Sequence, residues 1–184
     1  MDNYIVLNKK AFKYKNFSLV PIRFDDRYDI MKWRNEQIYH LRQNKPLTTA
    51  DQDFYFENVV SKLFDQIEPN QILFSLLKDN ICIGYGGLVH INWIDRNAEV
   101  SFIMDTQLES LYFKEIWQIY LRMIKEVSFS ELKLNKIFVY AFDLRPHLYE
   151  VLEQSGYFLD ARLKNHCFYN NNLIDVVIYS ILNE

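Results

Sequence analysis

The sequence predicts an α+β fold in which helices flank a mixed, mostly antiparallel sheet, and three observations carry that expectation. Apolar runs of strand length stand at 71–77, 81–92 and 98–104, separated by links too short to hold a helix. A long helical period over 110–130 follows them, and then a strand, a short helix and two closing strands. Strands that run consecutively before a helix intervenes form a meander, not the regular alternation of a doubly wound sheet.

Each element has its own local signal. Residues 1–17 form a polar and aromatic leader, and its stretch Tyr4 to Phe17 is suited to cover a sheet edge, extend the sheet or contact another subunit. Residues 18–24 (SLVPIRF) read as a first strand, and Asp25 or Asp26 as the N-cap of a helix carrying Ile30, Trp33, Ile38 and Leu41. Pro46 stops that helix, and Thr48-Thr49 starts a second one presenting Phe54, Phe56, Val59, Val60 and Phe64. Lys78-Asp79-Asn80 closes a hairpin between 71–77 and 81–92, and the turn 93–97 leads into the strand Ala98–Met104. From Ser110 to Ser130, Phe113, Ile116, Trp117, Tyr120, Leu121, Ile124 and Val127 recur at helical spacing. A strand at 136–142, a helix at 147–155 ended by Gly156, and strands at 157–168 and 173–182 joined through Asn170-Asn171-Asn172 complete the chain.

Composition narrows the function classes. With 184 residues and 49% hydrophobic content, the chain is sized for one core, so 18–184 is expected to be a single domain. A formal charge of −3 supplies no broad positive field, and nucleic acid is not expected as a partner. Cys82 and Cys167 form no close-spaced pair, so they read as reduced packing cysteines and no metal site is expected. The N-terminus lacks a signal-peptide core, and no segment offers about 18 uncharged apolar residues. A soluble, cytoplasmic protein without a membrane partner is therefore expected.

Five segments carry a resemblance. Residues 31–35 (MKWRN) look like a Trp-Arg-Asn signature in the first helix of amino-sugar acetyltransferases, and 81–90 (ICIGYGGLVH) like a strand with an Ile-Gly-x-x-Gly pattern. Ala98 to Ile103, then Phe129 through Leu132 and Leu134 to Ile137, match the next strand and the passage from long helix to strand. Leu152 to Tyr157, followed by Ala161 to His166, matches the closing segment. Over roughly 18–183 the chain thus resembles the GNAT superfamily of N-acetyltransferases. Its flavour is closest to members acting on nucleotide-linked amino sugars in surface-polysaccharide synthesis. The resemblance implies a GNAT-type fold, acetyl-CoA as co-substrate and a small-molecule amine as acceptor, and it leaves a homodimer open. Acetylation of a protein N-terminus and a non-catalytic GNAT-fold binding module stand as alternatives.

The chemistry needs a deprotonated amine, a polarised thioester carbonyl and a proton for the departing thiolate. Glu99 is the only acidic side chain inside an otherwise apolar strand, a costly position unless it faces water, a partner or a site, and it is the leading general-base candidate. His90, at the end of the preceding strand, is the second, because imidazole titrates in the useful range. By the resemblance, Ser101, Phe102, Ile103 and Met104 face the pantetheine arm. Ser110, Leu111, Tyr112 and Lys114 would meet the phosphates of CoA, and Trp33, Arg34, Asn35, His166 and Asp175 would border the acceptor.

The sequence departs from the family pattern in two places. Family members open the phosphate-binding helix with glycines, whereas Thr106 to Lys114 contains none, and Glu109 there would repel phosphate. Many members also place a tyrosine four residues before the closing glycine as the thiolate's acid. That position is Leu152, and Tyr149 lies on another helical face.

Overall fold

The computed structural model describes residues 3–183. Its strands are β1 (Phe12–Tyr14), β2 (Phe17–Pro21), β3 (Ile72–Lys78), β4 (Ile81–Asn92), β5 (Asn97–Met104), β6 (Lys136–Phe142), β7 (Phe158–Tyr169) and β8 (Asn172–Leu182). They form one sheet in the order β1-β2-β3-β4-β5-β6-β8-β7, with β5–β6 parallel and every other pair antiparallel. The helices are α1 (Arg27–Glu36), α2 (Thr49–Tyr55), α3 (Ser61–Leu63), α4 (Thr106–Lys125) and α5 (Pro146–Gln154). The α+β expectation, with its meander and long helix, matches this architecture.

Several boundaries moved, each for a local reason. The first strand ends at Pro21, and Asp26 does not cap α1 with its side chain; the carboxylate instead takes a two-point hydrogen bond from Arg23 at 2.7 and 2.6 Å. α1 stops at Glu36, so Ile38 lies in a short 3-10 turn and Leu41 in extended chain. At α2 the Thr48 hydroxyl and the Asp51 carboxylate form a reciprocal capping box, as the Thr48-Thr49 signal anticipated. Both tight hairpins place consecutive residues at positive φ, Asp79 (51°) and Asn80 (68°) between β3 and β4, Asn170 (46°) and Asn171 (62°) between β7 and β8.

The segment read as a leader belongs to the core. Tyr4, Leu7 and Phe12 are buried, Tyr4 stacks on Phe64 at 4.4 Å, and β1 adds an edge strand to β2. Two hydrophobic clusters lie on the two faces of the sheet. The larger holds Ala98, Val100, Phe102 and Met104 of β5 together with α4; the smaller holds Ile103, Tyr85 and Leu73 with Ile30 and Trp33 of α1 and Phe56 and Val60 beyond α2. Because successive strand residues face opposite ways, Glu99 and Ser101 share the α1–α2 face with Ile103. Among the described residues, no helix is long and apolar enough to cross a membrane.

Candidate active site

The parallel β5–β6 pair is hydrogen-bonded only from Asn97↔Lys136 to Glu99↔Phe138, after which the two strands part. A small cavity of about 90 Å³ opens at that fork, bordered by Glu99, Ser101, Phe102, Trp117, Tyr140 and Arg145. Past Glu99 the β5 backbone has no β6 partner, so its edge faces the cavity.

Glu99 is 5% exposed, and both of its oxygens have side-chain partners. The Arg42 guanidinium donates to Oε1, and His90 Nδ1 lies 2.9 Å from Oε2. The two catalytic candidates of the sequence therefore meet. What brings them together is a bulge between Val89 and Asn92, at which His90 takes a φ of 51°. The His90 side chain is 66% exposed, which gives the buried carboxylate a contact with solvent through one hydrogen bond.

Sequence reasoning missed Arg42 and Tyr140. Arg42 lies in the non-periodic segment after α1, and its guanidinium stacks 4.8 Å from the Tyr140 ring centroid as well as reaching Glu99. The Tyr140 hydroxyl is 3.5 Å from Cys167 Sγ, and burial, followed by that contact, pushes the phenol up to about 12. His166 joins this group only at its edge, its ring 6.3 Å from that of Tyr140.

The other anticipated residues fall into separate places. Ser101 and Phe102 border the fork, while Ile103 and Met104 are buried in the two cores and the Met104 carbonyl accepts from Gln37 Nε2 at 2.7 Å. Trp33 is a core residue whose indole donates to Asp105 at 3.2 Å. Asn35 spends its amide on the next loop, donating to Leu47 O at 2.9 Å and accepting from Leu47 N at 2.7 Å. Asp175 steadies a bulge in β7, accepting from Asn165 N at 2.9 Å and from Arg162 at 3.1 Å. Arg34 of the MKWRN segment borders a second cavity, with Tyr85 and Gln43 as partners.

The helix expected to begin near Ser110 begins at Thr106. Asp105 caps it, accepting from Gln107 N at 2.8 Å and Leu108 N at 3.2 Å, so a carboxylate already sits where a phosphate would bind. Glu109 turns inward to Arg145 at 3.2 Å. The helix kinks at Tyr112 (φ −132°, ψ 22°), and Leu111 and Tyr112 are both exposed there. Ser110 bonds back to Gln107 O, and Lys114 pairs with Glu150 at 2.9 Å. Tyr149 donates to Asp143, away from the fork, and Leu152 is buried.

The sequence matches the family described as "Acetyltransferase (GNAT) domain" over residues 19–178. The chain belongs to the GNAT acetyltransferase family. It is an acetyl-CoA-dependent N-acetyltransferase by that membership. Among solved structures, this GNAT protein is similar to a spermidine N-acetyltransferase from Vibrio cholerae in complex with CoA and spermine, with a TM-score of 0.78, 19% identity, and 91% and 96% of the two chains covered. Mutant forms of the Vibrio cholerae spermidine/spermine N-acetyltransferase give a TM-score of 0.75 at 20% identity, with 91% and 94% covered. At such identities the likeness concerns the fold. These neighbours are polyamine enzymes rather than amino-sugar enzymes, and no curated protein matches the sequence.

Proposed function

We propose that this GNAT protein acetylates a small primary amine at the β5–β6 fork, with Glu99 as the general base. The observation that carries the reading is the buried Glu99 carboxylate, held by Arg42 and His90 at the border of the fork cavity. The amine nitrogen attacks the thioester carbonyl carbon and its proton passes to Glu99, which the His90 imidazole at Oε2 orients and which releases the proton to water before the next turnover. The carbon–sulfur bond breaks, and the departing thiolate takes a proton from the Tyr140 phenol bordering the fork, which is then reprotonated from water. The unpaired β5 edge past Glu99 would polarise the carbonyl and hold the pantetheine arm. The kinked turn at Tyr112, with Lys114 alongside, would meet the phosphates; the Lys114–Glu150 pair is exposed and weak enough to exchange partners.

The acceptor is a small amine. The amino-sugar reading rested on MKWRN, of which Trp33 and Asn35 are engaged in structural bonds, so only Arg34 still supports it.

Calorimetric titration with acetyl-CoA, with desulfo-CoA as control, followed by CoA-release assays on an amine panel, tests the reading. One-to-one binding is expected, with Glu99→Gln binding acetyl-CoA normally while kcat falls about 100- to 10,000-fold. Binding of neither compound, or an active Glu99→Gln, would sink it.

A further inference from the structure

A second cavity, of about 420 Å³, lies between α1, α2 and the faces of β3 and β4. Ser101 borders both this cavity and the one at the fork, and Val89 on its wall is the strand partner of Glu99. An acceptor seated here would present its reacting end to the thioester. The volume is near the lower end of the range for small-molecule sites, about 300–1,000 Å³.

Its chemistry is specific. Apolar and aromatic side chains make most of the wall, Ile22, Phe54, Tyr55, Phe56, Val59 and Leu73 among them, and the helix widens into a π turn at Phe56–Val60 that carries Phe56 and Val59 to it. Phe54 is 65% exposed at the rim. One permanent cation sits among them: Arg34 donates through Nε to Gln43 Oε1 at 2.9 Å and through Nη1 to the Tyr85 hydroxyl, and Nη2 has no partner among the described residues. The sole carboxylate among the described lining residues, Asp51, is spent on Thr48 in the α2 capping box. A polycation entering this space would meet the Arg34 charge, with the Asp51 carboxylate, one oxygen of which is bonded to Thr48, as its counterpart on the wall. An anion would find a charged donor in apolar surroundings.

Position adds a length. Tyr85, which holds Arg34, pairs with Ile103, and Glu99 lies four residues farther along β5, about 13 Å at strand rise. The strand position that holds the cation and the one that carries the base therefore stand apart along the sheet.

We propose that the acceptor is an aromatic primary amine with a carboxylate at the end remote from the nitrogen, its ring against the α2 wall and its carboxylate on Arg34. The proposal rests on the acetyl-transfer reading above and narrows its substrate class.

The test uses initial rates of CoA release at saturating acetyl-CoA with 4-(2-aminoethyl)benzoate, phenethylamine, phenylalanine, spermidine and a nucleotide-linked amino sugar. We expect kcat/KM for the benzoate to exceed that for phenethylamine about 10- to 100-fold, the worth of a charged hydrogen bond. Phenylalanine, whose carboxylate adjoins its amine, should be poor. Arg34→Gln should collapse the benzoate-to-phenethylamine ratio toward one, and Arg34→Lys should restore part of it, which separates charge recognition from damage to the Tyr85 brace. Spermidine or the amino sugar as best acceptor, or a ratio that Arg34→Gln leaves intact, overturns the proposal. If no amine is acetylated, the transfer reading fails by itself, and calorimetry with the benzoate still decides the cavity: binding that Arg34→Gln abolishes supports it, and no binding overturns it.

Discussion

At Glu99 a buried carboxylate is held by two side chains from different elements, Arg42 from the segment after α1 and His90 from the β4 bulge. Arg42→Ala removes the charge partner and the stacking on Tyr140. Because Arg42 is 47% exposed, the stability loss in urea unfolding should be modest, about 1 kcal/mol, while kcat falls about tenfold as the base loses its fixed position. Lysine should not restore the rate, since an ammonium cannot stack and bridge in the same way. A second residue makes a pH prediction. His40 borders the fork, and burial, aided by the nearby Arg145 charge, lowers its pKa from the usual 6.5 to about 3. Between those values the unfolded chain binds the proton and the folded chain does not. The stability this group contributes is therefore complete above about pH 6.5 and declines as the pH falls toward 3. Thermal melts should show His40→Gln losing less Tm than the parent between pH 7 and pH 4; equal losses would remove His40 from the account. At this scale Glu99 and His90 were legible in the sequence, one as an acid in an apolar strand and the other as an imidazole beside it. Arg42 was not, because a lone arginine in a non-periodic segment carries no local sign of where it points.

At the scale of elements, β4 and β5 shape the fork. Gly86 lies under the Tyr120 hydroxyl, which donates to the Ser101 carbonyl at 2.7 Å, and a Cβ there would stand 2.1 Å from that carbonyl oxygen and 2.8 Å from the hydroxyl. Gly86→Ala should force β5 away from β4, destabilising the protein by about 1–3 kcal/mol and lowering acetyl-CoA affinity together; a variant with unchanged urea midpoint would show that the strands yield without cost. The start of α4 teaches a different lesson. Helical periodicity predicts Ser110 because the apolar stripe begins there, yet Asp105 starts the helix at Thr106 by bonding two amides. A polar first turn is invisible to an apolar period, and a side-chain cap sets the boundary instead.

At the scale of the whole molecule, the first residues are structural. The Tyr4 hydroxyl donates to Leu73 O and accepts from Leu73 N, both at 2.9 Å, and its ring joins Phe64 and Phe74 in the core with Leu7 and Phe12 nearby. Deleting residues 1–14 exposes this region and leaves β2 as the edge. With each buried apolar side chain worth about 1.5–3 kcal/mol, the truncated protein should lose cooperative thermal unfolding; a melt within a few degrees of the parent would contradict this. The sequence by itself determined the order of elements, the α+β class, the family resemblance and the acid most worth following. These depend on periodicity, turn residues and composition, which act over a few neighbouring positions. The tertiary structure decided that Arg42 and Tyr140 join Glu99, that Asn35 and Asp175 are spent on loops and bulges, and that Arg34 faces an apolar cavity. Those outcomes follow from strand register, from a bulge at His90 and from the path of a non-periodic loop. Each sets which distant side chains converge, and no local pattern in the chain encodes that convergence.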